Sequence, residues 1–349
     1  MANWQKIGLV DELKKKALQE VKIGDKTFAL SFLDNKFAAI DGVCNHSGGP
    51  LGKGTIDPKT GHIKCPWHNW KYECESGKGE PPYQQFQVPI YALKIEGGDL
   101  LIDMDARTER KKEKQKDWSF LRPSKRKKGE KIRVLGISCT NMDFKNPRYS
   151  SSDALLDWGL ANLRNVEVRK YQLGKMNITP CEGYYSKHKD ACTFPCTITQ
   201  FDSKDEMWKI YQGLLWADVI CIATPVRWGQ ASSLYYKMQE RLNSIENQID
   251  YYENPQEDLE DSIALKDKVL CTIITGGQDN VQSVLGEIMR FWGQMGIRFP
   301  MLPFVGHSRG FSAEDMDHNV DFIKKSQDLR HEVDEMFERA LRDVIEPKE

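Results

Sequence analysis

Cys44 and His46 stand two positions apart, and after eighteen intervening residues come Cys65 and His68, three positions apart. Thiolate and imidazole are the donors that hold zinc and iron. Two Cys and two His suit a tetrahedral zinc ion. They also suit a two-iron, two-sulfide centre in which the cysteines hold one iron and the histidines the other. A zinc finger pairs like ligands, Cys near Cys and His near His. Here each short motif pairs one Cys with one His, so each loop can reach both irons. His62 and Cys74 fall outside the spacing and are read as a strand histidine and a core or loop thiol.

The whole pattern resembles the Rieske [2Fe–2S] family. Gly48 and Leu51 follow the first pair, and Trp70, Tyr72 and Gly77 follow the second. The resemblance implies Cys44, His46, Cys65 and His68 as ligands, with Pro81 and Pro82 in the loop that covers the cluster. Respiratory members carry a further Cys in each loop, joined as a disulfide. Gly49 and Trp67 hold those places here, so the chain looks like the ferredoxin or oxygenase type. Asn69 stands where that family has Gly, a departure that bears on the local turn. The missing disulfide and the missing Ser after His68 remove donors near the sulfurs. The potential is therefore expected in the low part of the Rieske range of about −150 to +300 mV.

The elements around these motifs divide the chain. Residues 1–105 hold short alternating apolar runs such as KTFALSFL and KFAAIDGV, separated by turns, and predict an all-β domain. Residues 106–130 form a basic linker; from 107 to 131 there are twelve Lys or Arg against four Asp or Glu. Such a run predicts a solvated tether that like charge keeps open, about 85 Å if fully extended. Trp118, Phe120 and Leu121 within it are expected to dock on one of the domains. Residues 131–349 alternate strand and helix, with predicted strands at 132–137, 165–173, 218–224, 268–275 and 297–305. Helical patterns lie between them, and one long pattern covers 312–346. Near-continuous apolar strands between helices predict a parallel sheet covered on both faces. Periodicity alone leaves the strand order open.

Three loops at carboxyl ends of those strands could hold a ligand. The first strand runs into Ser138 and Thr140 and a polar loop with Arg148, ending at Ser150, Ser151 and Ser152. A helix start there makes either a phosphate site or a plain cap by Ser150 or Ser152. The third strand ends in Thr224-Pro225-Val226-Arg227-Trp228-Gly229, and the fourth in Thr275-Gly276-Gly277. Together the three loops resemble the NAD(P)H-dependent FMN reductase and iron–sulfur flavoprotein family. The resemblance implies a flavodoxin-like doubly wound sheet of order 2-1-3-4-5. It places the FMN phosphate in the 138–152 loop and the isoalloxazine along Pro225, Val226, Arg227, Trp228 and Gly229. Gly276 and Gly277 close the other side, and Arg227 would tune the flavin. No Gly-x-Gly-x-x-Gly follows the first strand, so FMN is expected and FAD is not. Iron–sulfur flavoproteins cluster four Cys after the second strand. Cys181 keeps one such place, Tyr184 and Lys187 stand at the next two, and Cys192 and Cys196 follow. A relic loop with free thiols is expected there.

Lys and Arg total 50 against 51 Asp and Glu, which argues against a chain that is basic or acidic throughout; the basic run at 107–131 has no nucleic-acid-binding motif beside it, so nucleic-acid binding is not expected. No apolar run reaches the length of a membrane span, and the start lacks a signal-peptide pattern; a cytoplasmic protein is expected. The four His outside the first domain show no two-His-one-carboxylate spacing, so a complete Rieske oxygenase is not expected. The pairing of a flavin with a Rieske cluster implies an NAD(P)H-dependent oxidoreductase: nicotinamide to FMN, FMN to [2Fe–2S], cluster to an acceptor. Three alternatives stay open at this stage. The chain is an electron carrier without enzyme activity of its own, or the reductase component of a separate oxygenase, or a flavin-site reductase of a quinone, nitro compound or O₂ fed through the cluster. A homo-oligomer is expected, dimer or tetramer, with the flavin near a subunit boundary and with the exposed Trp228, the long C-terminal helix and the acidic insertion at 246–262 as interface surface. A docked Rieske domain with an exposed His46 and His68 edge is the expected route between the centres.

Overall fold

The computed structural model describes residues 3–46, 48–80, 86–111, 117–127, 129–141, 150–186, 192–246, 264–276, 280–308, 318 and 321–345. The chain divides into two compact units. One comprises Met1–Lys116 with Gly183–Cys192, the other Asp117–Glu182 with Thr193–Glu349.

The first unit is built from short antiparallel strands. β1 (Trp4–Leu9), β2 (Leu18–Ile23), β3 (Lys26–Leu33), β4 (Lys36–Asp41), β8 (Ile90–Glu96) and β9 (Asp99–Ala106) make one sheet in the order β1-β9-β8-β4-β3-β2. A one-turn helix, α1 (Val10–Leu13), follows β1. β5 (Thr55–Ile56), β6 (His62–Lys64) and β7 (Lys71–Glu73) make a second, smaller sheet. Phe28, Leu30, Ala39, Tyr91, Leu100 and Ile102 form the large sheet's core. Phe28 meets Tyr91 edge to face with ring centroids 4.8 Å apart, a favoured aromatic geometry.

The unit extends past the expected boundary at residue 105. The Arg107 N–H donates to Ile90 O at 2.8 Å, and Gln87 and Lys111 exchange backbone hydrogen bonds of 3.0 and 2.8 Å. The basic run is anchored at its far end too, within the second unit. Leu121 is buried, Phe120 stands edge-on to Trp208 with centroids 6.0 Å apart, and the Ser124 N–H donates to Leu215 O. Arg133 grips Ser124 through its hydroxyl and carbonyl, and grips Asp218 through two nitrogens. The expectation of an open tether is thereby corrected for residues 106–111 and 117–127: backbone pairing and a buried Leu outweigh like-charge repulsion there. Trp118, Phe120 and Leu121 belong to the second unit.

The second unit holds five parallel strands. β10 (Ile132–Ser138), β11 (Val166–Gln172), β12 (Val219–Pro225), β13 (Val269–Gly276) and β14 (Phe304–Ser308) lie in the order β11-β10-β12-β13-β14. The helices are α2 (Ser151–Asn162), α3 (Thr197–Phe201), α4 (Met207–Trp216), α5 (Ser233–Arg241), α6 (Asn243–Glu246), α7 (Val281–Gln294) and α8 (Gln327–Ile345). Successive strand residues face opposite sides. A Cβ on Gly136 would meet Leu156 and Leu160 of α2, whereas Leu135 lies beside Gly213 of α4. α2 and α4 therefore cover opposite faces. Val134, Cys221, Cys271 and Ile273 pack with Leu156, Val333 and Phe337 on the α2 and α8 side.

Two expected elements differ. The strand expected at 297–305 begins only at Phe304; Pro300 and Pro303 lack an N–H for the ladder, and Leu302 has φ +52°. The long helix expected over 312–346 is interrupted at Ser326, whose hydroxyl accepts the Leu329 N–H at 3.3 Å at the start of α8.

Candidate functional site

The first ligand loop leaves β4 and closes on itself. The Cys44 N–H donates to Gly49 O at 2.9 Å, and the Gly48 N–H returns to Cys44 O at 3.2 Å. The second loop joins β6 to β7. The Cys65 N–H donates to Trp70 O at 2.7 Å, and the Asn69 N–H to Cys65 O at 3.1 Å. Asn69 adopts φ +61°, the left-handed region that Asn tolerates, so the turn survives the loss of Gly.

These loops bring all four expected ligands together. His46 Nδ1 and His68 Nδ1 lie 2.7 Å apart. Cys44 and Cys65 are buried free thiols in hydrogen-bonding contact. The Cys65 thiol is lowered to about 7, first by that contact, while the same contact and burial push Cys44 up. Burial, and then the charge of His68, lower His46 to about 2, which keeps its imidazole neutral and able to ligate. Among the described residues no three His, Cys, Asp or Glu converge as ligands of one metal ion. Two facing thiols beside two facing imidazoles instead fit two irons, each with two protein ligands.

Three neighbours of this centre were not legible as such in the sequence. The Tyr72 hydroxyl accepts the Asn45 backbone N–H at 3.2 Å and sits 3.5 Å from Cys44 Sγ, so a hydroxyl stands beside a ligand sulfur although the disulfide and the Ser are missing. Trp70 stacks on His46 with centroids 5.5 Å apart and planes 16° apart. Tyr184, from the part of 183–192 that belongs to this unit, stands edge-on to His68 at 5.2 Å. His46 is 8% exposed and His68 3%. The expected exposed histidine edge is thus corrected: aromatic rings pack against both ligands. A Cβ on Gly49 would lie 2.7 Å from Cys65 Sγ and 3.2 Å from the Trp67 indole, so the ring fills the place beside Gly49. Pro81 and Pro82 lie outside the described residues.

In the second unit the three expected loops meet at the carboxyl edge of the sheet. The Val226 N–H donates to Thr275 O at 2.7 Å, and a Cβ on Gly276 would lie 2.7 Å from Val226 Cβ, so only Gly allows that approach. Arg227 reaches Asn141 Oδ1 at 3.3 Å. The Ser232 N–H donates to Thr224 Oγ1 at 3.2 Å, and the Ser232 hydroxyl to Cys139 O. Arg227 and Gln230 pair across a two-residue turn whose tip, Trp228 and Gly229, has φ +49° and +79°. The Trp228 side chain is 95% exposed.

Pro225 and Val226 are buried, as are Ser138, Thr140, Ser150, Ser151, Ser152 and Thr275. Ser150 precedes α2 without a side-chain cap bond; its hydroxyl meets that of Ser152 at 3.0 Å. Ser138 Oγ is fully buried and has no hydrogen-bond partner among the described residues. A buried hydroxyl in that state costs about 1–3 kcal/mol, which a phosphate acceptor would offset. The polar edge therefore fits an FMN phosphate. Arg148 and Gly277 lie outside the described residues. Cys181 is exposed, Cys192 half-buried and Cys196 buried.

A Rieske [2Fe–2S] domain is recognised across residues 3–92. The chain is 30% identical over 93 residues to the ferredoxin component of the alkene monooxygenase system of Xanthobacter autotrophicus, covering 27% of this chain and 75% of that protein. It is 33% identical over 75 residues to a Rieske domain-containing protein of Homo sapiens, 21% of this chain, and spans about half of that relative, 48%. It is also 26% identical over 153 residues to an iron–sulfur flavoprotein of Methanocaldococcus jannaschii, covering 43% of this chain and 64% of that protein.

Proposed function

Because the chain belongs to the Rieske [2Fe–2S] family through its N-terminal domain, we propose that it is an NAD(P)H-dependent flavin and iron–sulfur oxidoreductase. When bound, FMN would accept one hydride, carrying two electrons, from the nicotinamide, and the [2Fe–2S] cluster would pass electrons one at a time to an acceptor. The observation that carries this reading is the paired geometry of Cys44 with Cys65 and of His46 with His68 in one chain with the loop-lined polar edge at Ser138.

The chain's own residues set position and potential. Cys44, Cys65, His46 and His68 hold the cluster, and Tyr72 donates to the Cys44 sulfur. Ser138, Thr140, Ser150, Ser151 and Ser152 receive the FMN phosphate at the start of α2. Val226 and Gly276 narrow the edge. Arg227 supplies a cation that favours a negatively charged reduced flavin. The acidic first turn of α2 does not oppose an anion, because Asp153 is paired with Lys170 at 2.7 Å. The chain assembles as a dimer or tetramer through the exposed Trp228 turn.

Among the described residues no helix is long and apolar enough to cross a membrane. The similarity to a monooxygenase ferredoxin component favours a second reading of the acceptor, in which it is a separate oxygenase. Anaerobic stopped-flow mixing with NADH or NADPH tests the main reading. Flavin bleaching followed by cluster bleaching at a rate independent of protein concentration supports it. A flavin that neither nucleotide reduces leaves a carrier fed by another protein.

A further inference from the structure

The Arg110 guanidinium lies outside residues 3–92, the recognised Rieske span, yet its three partners lie at the end of β4 and in the first ligand loop that follows it. It meets Asp41 Oδ1 at 2.7 Å, Val43 O at 2.9 Å and Asn45 Oδ1 at 2.5 Å. Asn45 sits between the ligands Cys44 and His46 and is buried. Its side-chain Nδ2 donates to Gln87 O at 3.1 Å and to Lys111 O at 3.0 Å. The Asp41 carboxylate also accepts the Val43 N–H at 2.9 Å. Asp41 Oδ1, Val43 O and both ends of the Asn45 side-chain amide are thus held by Arg110 or by its neighbour Lys111. Two terminal nitrogens of the planar Arg fork reach these oxygens together, a donor spacing that the single ammonium nitrogen of Lys does not reproduce.

We propose that Arg110 is a positioning residue for the cluster: it locks the Cys44–His46 loop from the start of the linker. Asp41 neutralises its charge, so it acts through the geometry it imposes on Asn45 and, through Asn45, on the two flanking ligands. The linker thereby completes the cluster's surroundings in addition to joining two domains. Outer contacts that orient ligands commonly contribute 10–100-fold to retention of a metal centre.

The proposal rests on a cluster held by Cys44, His46, Cys65 and His68, which iron and sulfide content of the wild-type chain checks separately. The test uses the full chain as wild type, Arg110→Gln, Arg110→Lys and Arg126→Gln. Arg126 is a second linker cation, set beside Asp218 at 3.5 Å in the other unit. Cluster loss to a chelator, the midpoint potential and the reduced EPR spectrum are measured on each. Both Arg110 variants are expected to lose the cluster about 10-fold faster than wild type, with shifted potential and EPR, while Arg126→Gln matches wild type. Wild-type values in folded Arg110→Gln overturn the proposal. Full rescue by Lys overturns it too, because charge and not the fork would then suffice. Loss of far-UV structure in both variants also overturns it, because Arg110 would then act on the whole fold.

Discussion

Tyr72 Oη lies 3.5 Å from Cys44 Sγ while accepting the Asn45 amide N–H at 3.2 Å. With Cys44 as a thiolate ligand, the only proton between the two atoms belongs to the phenol, so Tyr72 donates. A donor to a cluster sulfur stabilises the more negative, reduced state. Tyr72→Phe is therefore expected to lower the midpoint potential by on the order of 60 mV, the one-electron equivalent of one charge-assisted hydrogen bond. A mediator titration that finds the two potentials equal removes Tyr72 from the tuning groups.

The four ligands were legible because their chemistry is rare and their spacing local. The central strands β10, β12 and β13 were legible because a sheet covered on both faces demands near-continuous apolar runs. Tyr72 and Arg110 were not, since each acts across a fold-made distance: Arg110 meets Asn45 from 65 positions away. The linker misled for a related reason. Its composition reports charge, whereas the pairing of Lys111 with Gln87 and the burial of Leu121 depend on partners elsewhere in the chain. The breaks at Pro303 and Ser326 overrode periodicity that ran through them.

Ser138 offers a test in which stability and binding move in opposite directions. Removing its unpartnered buried hydroxyl with Ser138→Ala should raise the stability of flavin-free protein by about 1 kcal/mol. The same change should weaken FMN binding several-fold. Urea unfolding and flavin fluorescence titration read the two effects. Weaker binding without the gain in stability would show that the hydroxyl is satisfied in the flavin-free chain. Chromatography of the released flavin should give FMN; FAD would contradict the assignment of the loop.

Trp228 holds φ +49° with its ring 95% exposed. A non-glycine residue in that region costs about 1–2 kcal/mol. Trp228→Gly should relieve this strain and remove the proposed contact between subunits. Light scattering at micromolar concentration should show a dimer or tetramer for wild type and a smaller mass for the variant. A monomeric wild type with flavin bound would refute the interface.

Arg241 and Asp205 form a fully buried ion pair at 3.0 Å, with Thr199 and the Thr179 carbonyl as further partners. Burial raises the Asp205 pKa, but the Arg241 hydrogen bond and charge outweigh it, and the carboxyl ends below its ordinary value. Its contribution is therefore complete above the unfolded value near 3.8 and is lost as pH falls through the lower folded value. Asp205→Asn leaves Arg241 unpaired and should cost on the order of 3–5 kcal/mol at neutral pH. Chemical denaturation from pH 7 to 2.5 should show the wild-type advantage shrinking only below pH about 4. A constant difference across that range would contradict the ionised pair.

Anaerobic titration of the purified chain with NADH and with NADPH, followed by visible absorption and EPR, bears most directly on the coupling of the two centres. The account predicts two irons and two sulfides per chain, full reduction of both chromophores, and a reduced EPR signal with average g below that of all-cysteine clusters, as two His ligands require. A nucleotide-reduced flavin beside a cluster that stays oxidised, or an all-cysteine signal, would contradict it.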